Sequence, residues 1–499
     1  MLNLSAIFTL QNLILNLLGV VVGIIFGFLP GLSATMGVAL TMPFTFGLDS
    51  TSAFAVLLGV YVGGIYGGSI TAILIRTPGT PASAATVLDG YPLTQKGQAR
   101  LALSTATLSS FIGGLFSCVI LFFGARTLAN FALKFGPAEY FSVALFGLSM
   151  VASLSRKNIC KGIISACLGL MLSTIGIDKI SGMNRFTMGN VNMMGGIELV
   201  SALIGLFAIT EVFSKLEGIR TMKPYAKIGE LGGTGIKFST LLKKHPGNLL
   251  RSSLIGTIVG IIPATGSGTA AWISYDQAVR ASKHPETFGH GEVDGVIASE
   301  AANNAVTGGA LIPLLALGVP GDSVTAIMMG ALMIKGLTPG PTLFSNYPDV
   351  INGIYIMLII ANVFMLILGL SGVRLFLQVL KVPTSTLMTC VLTLCCVGAY
   401  AIRNNVFDVG VALFMGIFGY LFIKADYPVT PALLGLILGS MIETNFRRAM
   451  TLSNGSLSTF VTRPISCAFL LISVFAFLYP IAKTQWEKRK GAKQLSDKE

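Results

Sequence analysis

Few groups in this chain could bind an ion, hold an anion or move a proton. The acids lying in or beside apolar stretches are Asp89, Glu300, Asp322 and Glu443, and Glu443 stands four residues before Arg447, the spacing of an interfacial ion pair on one helix face. Two adjacent amides, Asn303 and Asn304, interrupt an apolar run. Neighbouring side chains on a helix point in different directions, so both amides need partners of their own. The remaining candidates are hydroxyls and glycines at or near chain breaks: Ser33, Ser69, Thr77, Gly79, Thr80, Ser83, Thr265, Ser267, Gly321 and Ser323. Hydroxyls, amides and freed carbonyls are hard oxygen ligands suited to Na⁺, and the N–H and O–H groups among them suit a carboxylate. Half-helix N-termini add N–H groups and a positive dipole end for an anion. For each single hydroxyl the competing use is a bond back to its own helix.

No pattern belongs to an enzyme. Gly232-Gly233-Thr234-Gly235-Ile236-Lys237 has the wrong spacing for a phosphate-binding loop, so no ATPase is expected in this chain. HExxH is absent, and Pro320-Gly321-Asp322 lacks the second glycine of an intramembrane aspartyl protease site. Glu300-Ala301-Ala302 lacks the later glycine of the coupling loop in ATP-driven permeases, Val306 standing in its place. The seven cysteines show no CxxC spacing and are expected as small buried hydrophobes. His245, His284 and His290 lie in polar connections. No cofactor is expected, and no metal beyond a transient Na⁺ at Asn303, Asn304 and Asp322.

The elements that must position these groups are membrane helices. Only 11% of residues are charged, against about a quarter in soluble proteins, and the mean hydropathy is +0.78. The fold class expected is an all-α polytopic integral membrane protein, with about 12 transmembrane helices plus re-entrant hairpins in two homologous halves. Gly31 to Gly47, Thr77 to Gly90, Gly266 to Ala278 and Gly318 to Gly336 are bounded by Gly or Pro and rich in small residues, and they read as the re-entrant elements. Gly67, Ile70 and Pro78-Gly79 pair with Gly309, Ile312 and Pro320-Gly321 at a constant offset of 242, and Gly23, Gly27 and Pro30 pair with Gly256, Gly260 and Pro263 at 233. The division expected is a first repeat over 1–214, a basic connection over 215–246, a second repeat over 247–482 and a basic tail over 483–499.

Lys215, Arg220, Lys223, Lys227, Lys237, Lys243, Lys244 and Arg251 make the connection cytoplasmic by the positive-inside rule, as Lys488, Arg489, Lys490 and Lys493 do for the tail. Strict alternation through every apolar segment would put the tail outside, so Pro431 to Ile442 is expected to be re-entrant or miscounted. The net charge of +13 reflects this topology and anionic lipid, not nucleic acid. No basic residue precedes Arg76, so the first span is expected to insert and stay, uncleaved.

Several motifs are specific enough to carry a resemblance. They are Phe28-Leu29-Pro30-Gly31-Leu32-Ser33, Gly67-Gly68-Ser69, Thr77 through Ser83 to Asp89-Gly90-Tyr91-Pro92, Glu300 through Ala305, Asn445 through Ala449, and Thr462-Arg463-Pro464. Together they resemble the large membrane subunit of the tripartite tricarboxylate transporters. The resemblance implies a secondary transporter of the bacterial inner membrane. Such a subunit works with a small membrane subunit and a periplasmic solute-binding protein to import di- and tricarboxylates or related anions on an ion gradient, with Na⁺ or H⁺ as coupling ion. Two positions depart from that pattern: Ala264 stands where glycine is usual, and Asp322 where a small neutral residue is typical. Asp322 is left with three possible roles, coupling-cation ligand, proton carrier or cap of the half-helix after Pro320. The alternative function is a passive channel or a stand-alone permease for an unrelated solute. Replacing Asn303 or Asn304 with leucine is expected to abolish uptake into proteoliposomes while membrane insertion persists; wild-type uptake in both variants would remove the pair from the site.

Overall fold

The computed structural model describes residues 7–153, 159–218, 232–263, 265–379 and 382–476. Ala264, Arg220, Lys223, Lys227 and the basic tail from Lys488 lie outside the described residues. The chain divides into two compact units, Met1–Leu133 with Glu198–Tyr420, and Lys134–Ile197 with Leu421–Glu499.

The first unit opens with α1 (Leu10–Phe28), α2 (Ala34–Thr41), α3 (Ser50–Ile75), α4 (Val87–Gln95) and α5 (Ala99–Ala132). The second unit interposes α6 (Pro137–Ser153), α7 (Ile159–Ser173) and an antiparallel pair, β1 (Gly176–Ile177) and β2 (Asn184–Arg185). The first unit resumes with α8 (Leu199–Leu203), which runs through a π-helical stretch, Ile204–Ile209, into α9 (Thr210–Gly218). There follow α10 (Phe238–Lys244), α11 (Pro246–Ile261), α12 (Gly266–Ala281), α13 (Val293–Leu317), α14 (Ser323–Ile334), α15 (Thr342–Asn346), α16 (Pro348–Ser371), α17 (Val373–Val379), α18 (Thr384–Arg403) and α19 (Val406–Lys424). Last come α20 (Val429–Leu452), α21 (Thr459–Thr462) and α22 (Pro464–Ala476).

Among the described residues, eight helices are long and apolar enough to cross a membrane: α1, α3, α5, the α8 to α9 stretch, α16, α18, α19 and α20. Their outward side chains include Phe123, Leu370 and Phe414, a surface that suits lipid. The apolar run ending in Leu317 forms the 25-residue α13, outside those eight because Glu300, Asn303, Asn304 and Thr307 interrupt it. That polarity is tolerable because the helix is buried along almost its whole length among other helices.

Three expectations are corrected. Pro431 to Ile442 is not a short segment of its own; it lies within α20, an uninterrupted helix of 24 residues from Val429 to Leu452. The helix expected to reach Ile177 stops at Ser173, because Gly176, at φ 117, turns the chain into β1. Only Cys118 and Cys395 of the cysteines are buried; Cys160, Cys167 and Cys390 are exposed on helices.

In the first unit the helices meet backbone to backbone. A Cβ on Gly23 would overlap the Val60 carbonyl oxygen, one on Gly27 that of Gly64, and one on Gly67 that of Ile24, so α1 and α3 cross as closely as glycine allows. The same contacts recur between α11 and α13, where Gly256 lies on Ala302, Gly260 on Val306 and Gly309 on Thr257. Each partner is displaced by the offsets of 233 and 242 read in the sequence. In the second unit α20 packs on α7 in the same manner, Gly435 against the Ala166 carbonyl and Gly169 against that of Ala432.

Glu443 and Arg447 form the ion pair that their spacing predicts, and each has a further partner. Their own separation is 3.4 Å, whereas Glu443 receives two bonds from Arg185, at 2.7 and 3.1 Å, and Arg447 reaches Asp178 at 2.7 Å. The Arg447 guanidinium beside Asp178 holds its carboxyl well below the usual carboxylate range. This cluster ties the β-hairpin region to α20 within the second unit.

The glycine crossings give a stability test. Gly67→Ala is expected to cost about 1–3 kcal/mol by overpacking α1 on α3, read as a lowered melting temperature in detergent. Gly47→Ala, where a Cβ meets nothing within 4 Å, is expected to melt with the wild type.

Candidate functional site

Two helices of the first unit end at corresponding points, and each leads into a break. α3 stops because Arg76 adopts the left-handed conformation (φ 59); Thr77 to Thr80 are irregular, Pro81–Ser83 form one 3₁₀ turn, and α4 begins at Val87. α13 stops at Gly318 (φ 69); Val319-Pro320-Gly321 follow, and α14 begins after Asp322. Each Pro-Gly lies on backbone. Gly79 donates its N–H to the Gly68 carbonyl at 3.3 Å, and a Cβ on it would overlap the Gly27 carbonyl oxygen. A Cβ on Gly321 would stand 2.5 Å from the Gly260 carbonyl oxygen. Glycine is required at both places by close approach.

Each break also docks on the helix pair that precedes the other break. The second break meets α3 and α2: Tyr61 donates its hydroxyl proton to Asp322 Oδ2 at 2.5 Å, and the Thr35 and Ser323 hydroxyls are 2.9 Å apart. The first break meets α13 and α12: Asn303 Nδ2 donates to the Ala82 carbonyl at 3.2 Å, and Gly268 faces the Pro81 carbonyl, where a Cβ would come within 3.1 Å. Tyr61 and Asn303 stand 242 positions apart, Thr35 and Gly268 stand 233 apart, and the docking is therefore reciprocal.

The two breaks differ in charge. Asp322 is the N-cap of α14: its Oδ1 accepts from the Thr325 N–H at 2.8 Å, and its own N–H donates to Thr325 Oγ1 at 2.9 Å, a reciprocal capping box. The equivalent position of the first break is Thr80, whose buried Oγ1 has no hydrogen-bond partner among the described residues. Arg76, which ends α3, lines a cavity of about 500 Å³ together with Tyr91, Gln95, Lys96, His290 and Gly289, among others. Arg76 stands over the Tyr91 ring at 5.9 Å, and Lys96 Nζ donates to the His290 carbonyl at 2.7 Å. Arg76 thus links the start of the first break to a cavity that also bears Lys96.

Glu300, fully buried, gathers the polar groups of that region. Its Oε1 accepts from Ser69 Oγ at 2.6 Å, from Thr86 Oγ1, and from Asn303 Nδ2 at 3.3 Å; its Oε2 accepts from Ser110 Oγ at 3.0 Å. Asn304 Nδ2 donates to Asn303 Oδ1 at 2.6 Å, so the two amides bond each other instead of diverging, and Asn304 Oδ1 is left without a partner among the described residues. Asp89 has a different setting. Its Oδ1 accepts from the N–H groups of Gly289, Gly291 and Glu292 at 2.8–2.9 Å and its Oδ2 from the Tyr275 hydroxyl at 2.8 Å, pinning the loop before α13.

Of the residues singled out in the sequence, Ser69, Gly79, Thr80, Ser83, Asn303 and Asn304 surround the first break and Glu300, while Gly321, Asp322 and Ser323 form the second. Four others have local roles. Ser33 caps α2 by accepting from the Met36 N–H at 3.2 Å, Thr77 donates to the Ile75 carbonyl at 3.3 Å, and Thr265 bonds back to the carbonyls of Val259 and Ile262. Ser267 is half-buried in the first turn of α12. Ser83 likewise donates to the Thr80 carbonyl, at 3.0 Å. Sequence reading did not include Tyr61, Thr86 and Ser110, which are ordinary in type and gain meaning only from acids 190 to 261 positions away. Glu300, an acid in an apolar run, was visible as a signal.

Asp322→Ala removes a cap, worth about 1 kcal/mol, and orphans the Tyr61 hydroxyl at about 1–3 kcal/mol. A clear loss of thermal stability is expected, with Asp322→Asn, which still caps, retaining most of it. Equal melting of the two variants would show that the cap contributes nothing.

The chain matches the family described as the Tripartite tricarboxylate transporter TctA family over residues 13–434. It is 36% identical over 482 residues to an "Uncharacterized 52.8 kDa protein in TAR-I ttuC' 3'region" of Agrobacterium vitis, covering 96% of this chain and 95% of that relative. It is also 36% identical over 233 residues to an "Uncharacterized protein in TAR-II ttuC' 3'region" of the same organism, covering 46% of this chain and 96% of that relative. No solved structure matches it. A match over most of the length, on a helical membrane framework with paired breaks, places this chain in the tripartite tricarboxylate transporter TctA family.

Proposed function

We propose that this multi-pass membrane protein is the large subunit of a secondary transporter of the bacterial inner membrane. It imports a di- or tricarboxylate, or a related organic anion, driven by a Na⁺ or proton gradient and fed by a periplasmic solute-binding protein alongside a small membrane subunit. The observation that carries this reading is the first break. There the unpartnered Thr80 hydroxyl stands four residues after Arg76, which lines a cavity with Lys96, so the segment offers a carboxylate positive charge and a free donor. At the second break the corresponding place is taken by Asp322, whose carboxylate already occupies the N–H groups and the Tyr61 hydroxyl. An anion is therefore received at the first break, and the second serves as a capped structural counterpart.

The matched contacts of α1 with α3 and of α11 with α13, and the reciprocal docking of the breaks, support two homologous halves with four re-entrant elements. Transporters built from such repeats place their sites at discontinuous helices.

The test is uptake of labelled di- and tricarboxylates into proteoliposomes holding the complete three-part system. Accumulation that collapses when Na⁺ and proton gradients are abolished is expected; gradient-independent equilibration would instead make the chain a passive channel. Thr80→Val is expected to lower uptake by roughly tenfold or more, the worth of a hydrogen bond to a charged group. Arg76→Gln is expected to raise KM with less effect on maximal rate. Wild-type behaviour of both variants would remove the anion from this break.

A further inference from the structure

Asp89, Asp322 and Glu300 differ in how many of their donors are amides and how many are hydroxyls, and that difference favours Glu300 as the acid that exchanges a proton. A backbone N–H can only donate, so an oxygen held by amides has no acceptor for a proton of its own. Asp89 Oδ1 faces three such amides and Asp322 Oδ1 faces one, which fixes both carboxyls, and the second oxygen of each faces a single tyrosine hydroxyl. Glu300 faces no such amide. Three of its four donors are hydroxyls, which donate or accept by rotation, and its Oε2 is held by Ser110 Oγ alone. A proton on Oε2 would be received by Ser110 Oγ with no heavy atom displaced.

No positive charge compensates Glu300 among the described residues. From α3 the titratable group facing it is Tyr66, whose hydroxyl is paired with Thr107 Oγ1 at 2.8 Å. From α5 it meets hydroxyls, and from the turn before α4 it meets Thr86, with Asp89 one turn further on and held as described. On α11, Arg251 bonds Asn248; His245, just before that helix, bonds Asp294 in the first turn of α13. A buried carboxylate with no cation binds a proton unless another ion replaces it.

We propose that Glu300 is the proton-carrying group of transport, protonated when an anion occupies the first break and ionised when the break is empty. This rests on the anion reading given above. The link is short: Asn303 Nδ2 lies between Glu300 Oε1 and the Ala82 carbonyl, at 3.3 and 3.2 Å, and Thr86, three residues past the 3₁₀ turn, bonds the same Oε1. Protonation removes the negative charge that would repel an incoming carboxylate and reverses the Ser110 bond. The proton enters with the anion and leaves Glu300 on the far side, so the charge carried inward is reduced by one per proton.

Infrared difference spectroscopy of the purified full-length protein in lipid tests this before any substrate is identified. A protonated-carboxyl band that grows as pH falls is expected in the wild type and in Asp322→Asn, and is expected to be absent from Glu300→Gln. Ser110→Ala keeps the carboxyl but removes the partner of Oε2, and is expected to shift the band and the pH at which it appears. A band unchanged in Glu300→Gln, or insensitive to Ser110→Ala, overturns the proposal, as does a band that Na⁺ removes at constant pH. Citrate, and then other di- and tricarboxylates, are expected to intensify the band at constant pH. Gradient-driven citrate uptake with an unmoved band would sink the proton assignment and spare the anion reading. A titrating Glu300 band in a protein that no carboxylate perturbs or crosses would spare the proton site and sink the anion reading.

Discussion

Two contacts between bare backbone surfaces, Gly79 on Gly27 and Gly321 on Gly260, hold the functional region in place. A peptide carbonyl pressed against a glycine leaves no room for a side chain, so the position of each break relative to the preceding helix pair is set by main-chain geometry and not by adjustable side chains. The Gly23, Gly27 and Gly67 crossings, and their counterparts at Gly256, Gly260 and Gly309, bring α1 to α3 and α11 to α13 closely enough for those contacts to form. The polar chemistry is hung from this framework. Where the chain leaves helical geometry it does so against backbone that is already fixed, which is how irregular structure persists inside a membrane protein.

From that rigid base the two breaks acquire different chemistry. Equal scaffolds carry Thr80 at one and Asp322 at the other, and the single substitution separates an uncharged place with an unsatisfied hydroxyl from a capped helix start with its carboxylate fully engaged. The proposed anion site follows from this asymmetry between the two breaks. The acids are sorted by the same logic. Asp89 under three amides is a fastener, Asp322 under one amide and a phenol is a cap, and Glu300 among hydroxyls is the acid whose neighbours accommodate either protonation state.

Much of this was legible in the amino-acid sequence. Composition established a polytopic membrane protein, the offsets of 233 and 242 located both breaks and their glycines, and the motifs pointed to the family. These signals are local: a proline stops a helix wherever the chain goes, a crossing glycine leaves its mark at its own position, and apolar length is counted along one segment. Pro431 to Ile442 was read as too short because its apolar run ends at Ile442, whereas the helix runs on to Leu452 with Glu443 paired to Arg185 and Arg447 to Asp178.

What the sequence by itself determined is therefore the framework: the membrane helices, the places where they break, the glycines that let them cross, and Glu300, Asn303, Asn304 and Asp322 as the polar groups needing partners. What only the tertiary structure decided is who those partners are. Tyr61 for Asp322, and Ser69, Thr86 and Ser110 for Glu300, are common residue types with no local signature, brought together from 190 to 261 positions away. A hydrogen bond depends on distance and direction in space, and neither is encoded in the spacing of residues that lie on different helices.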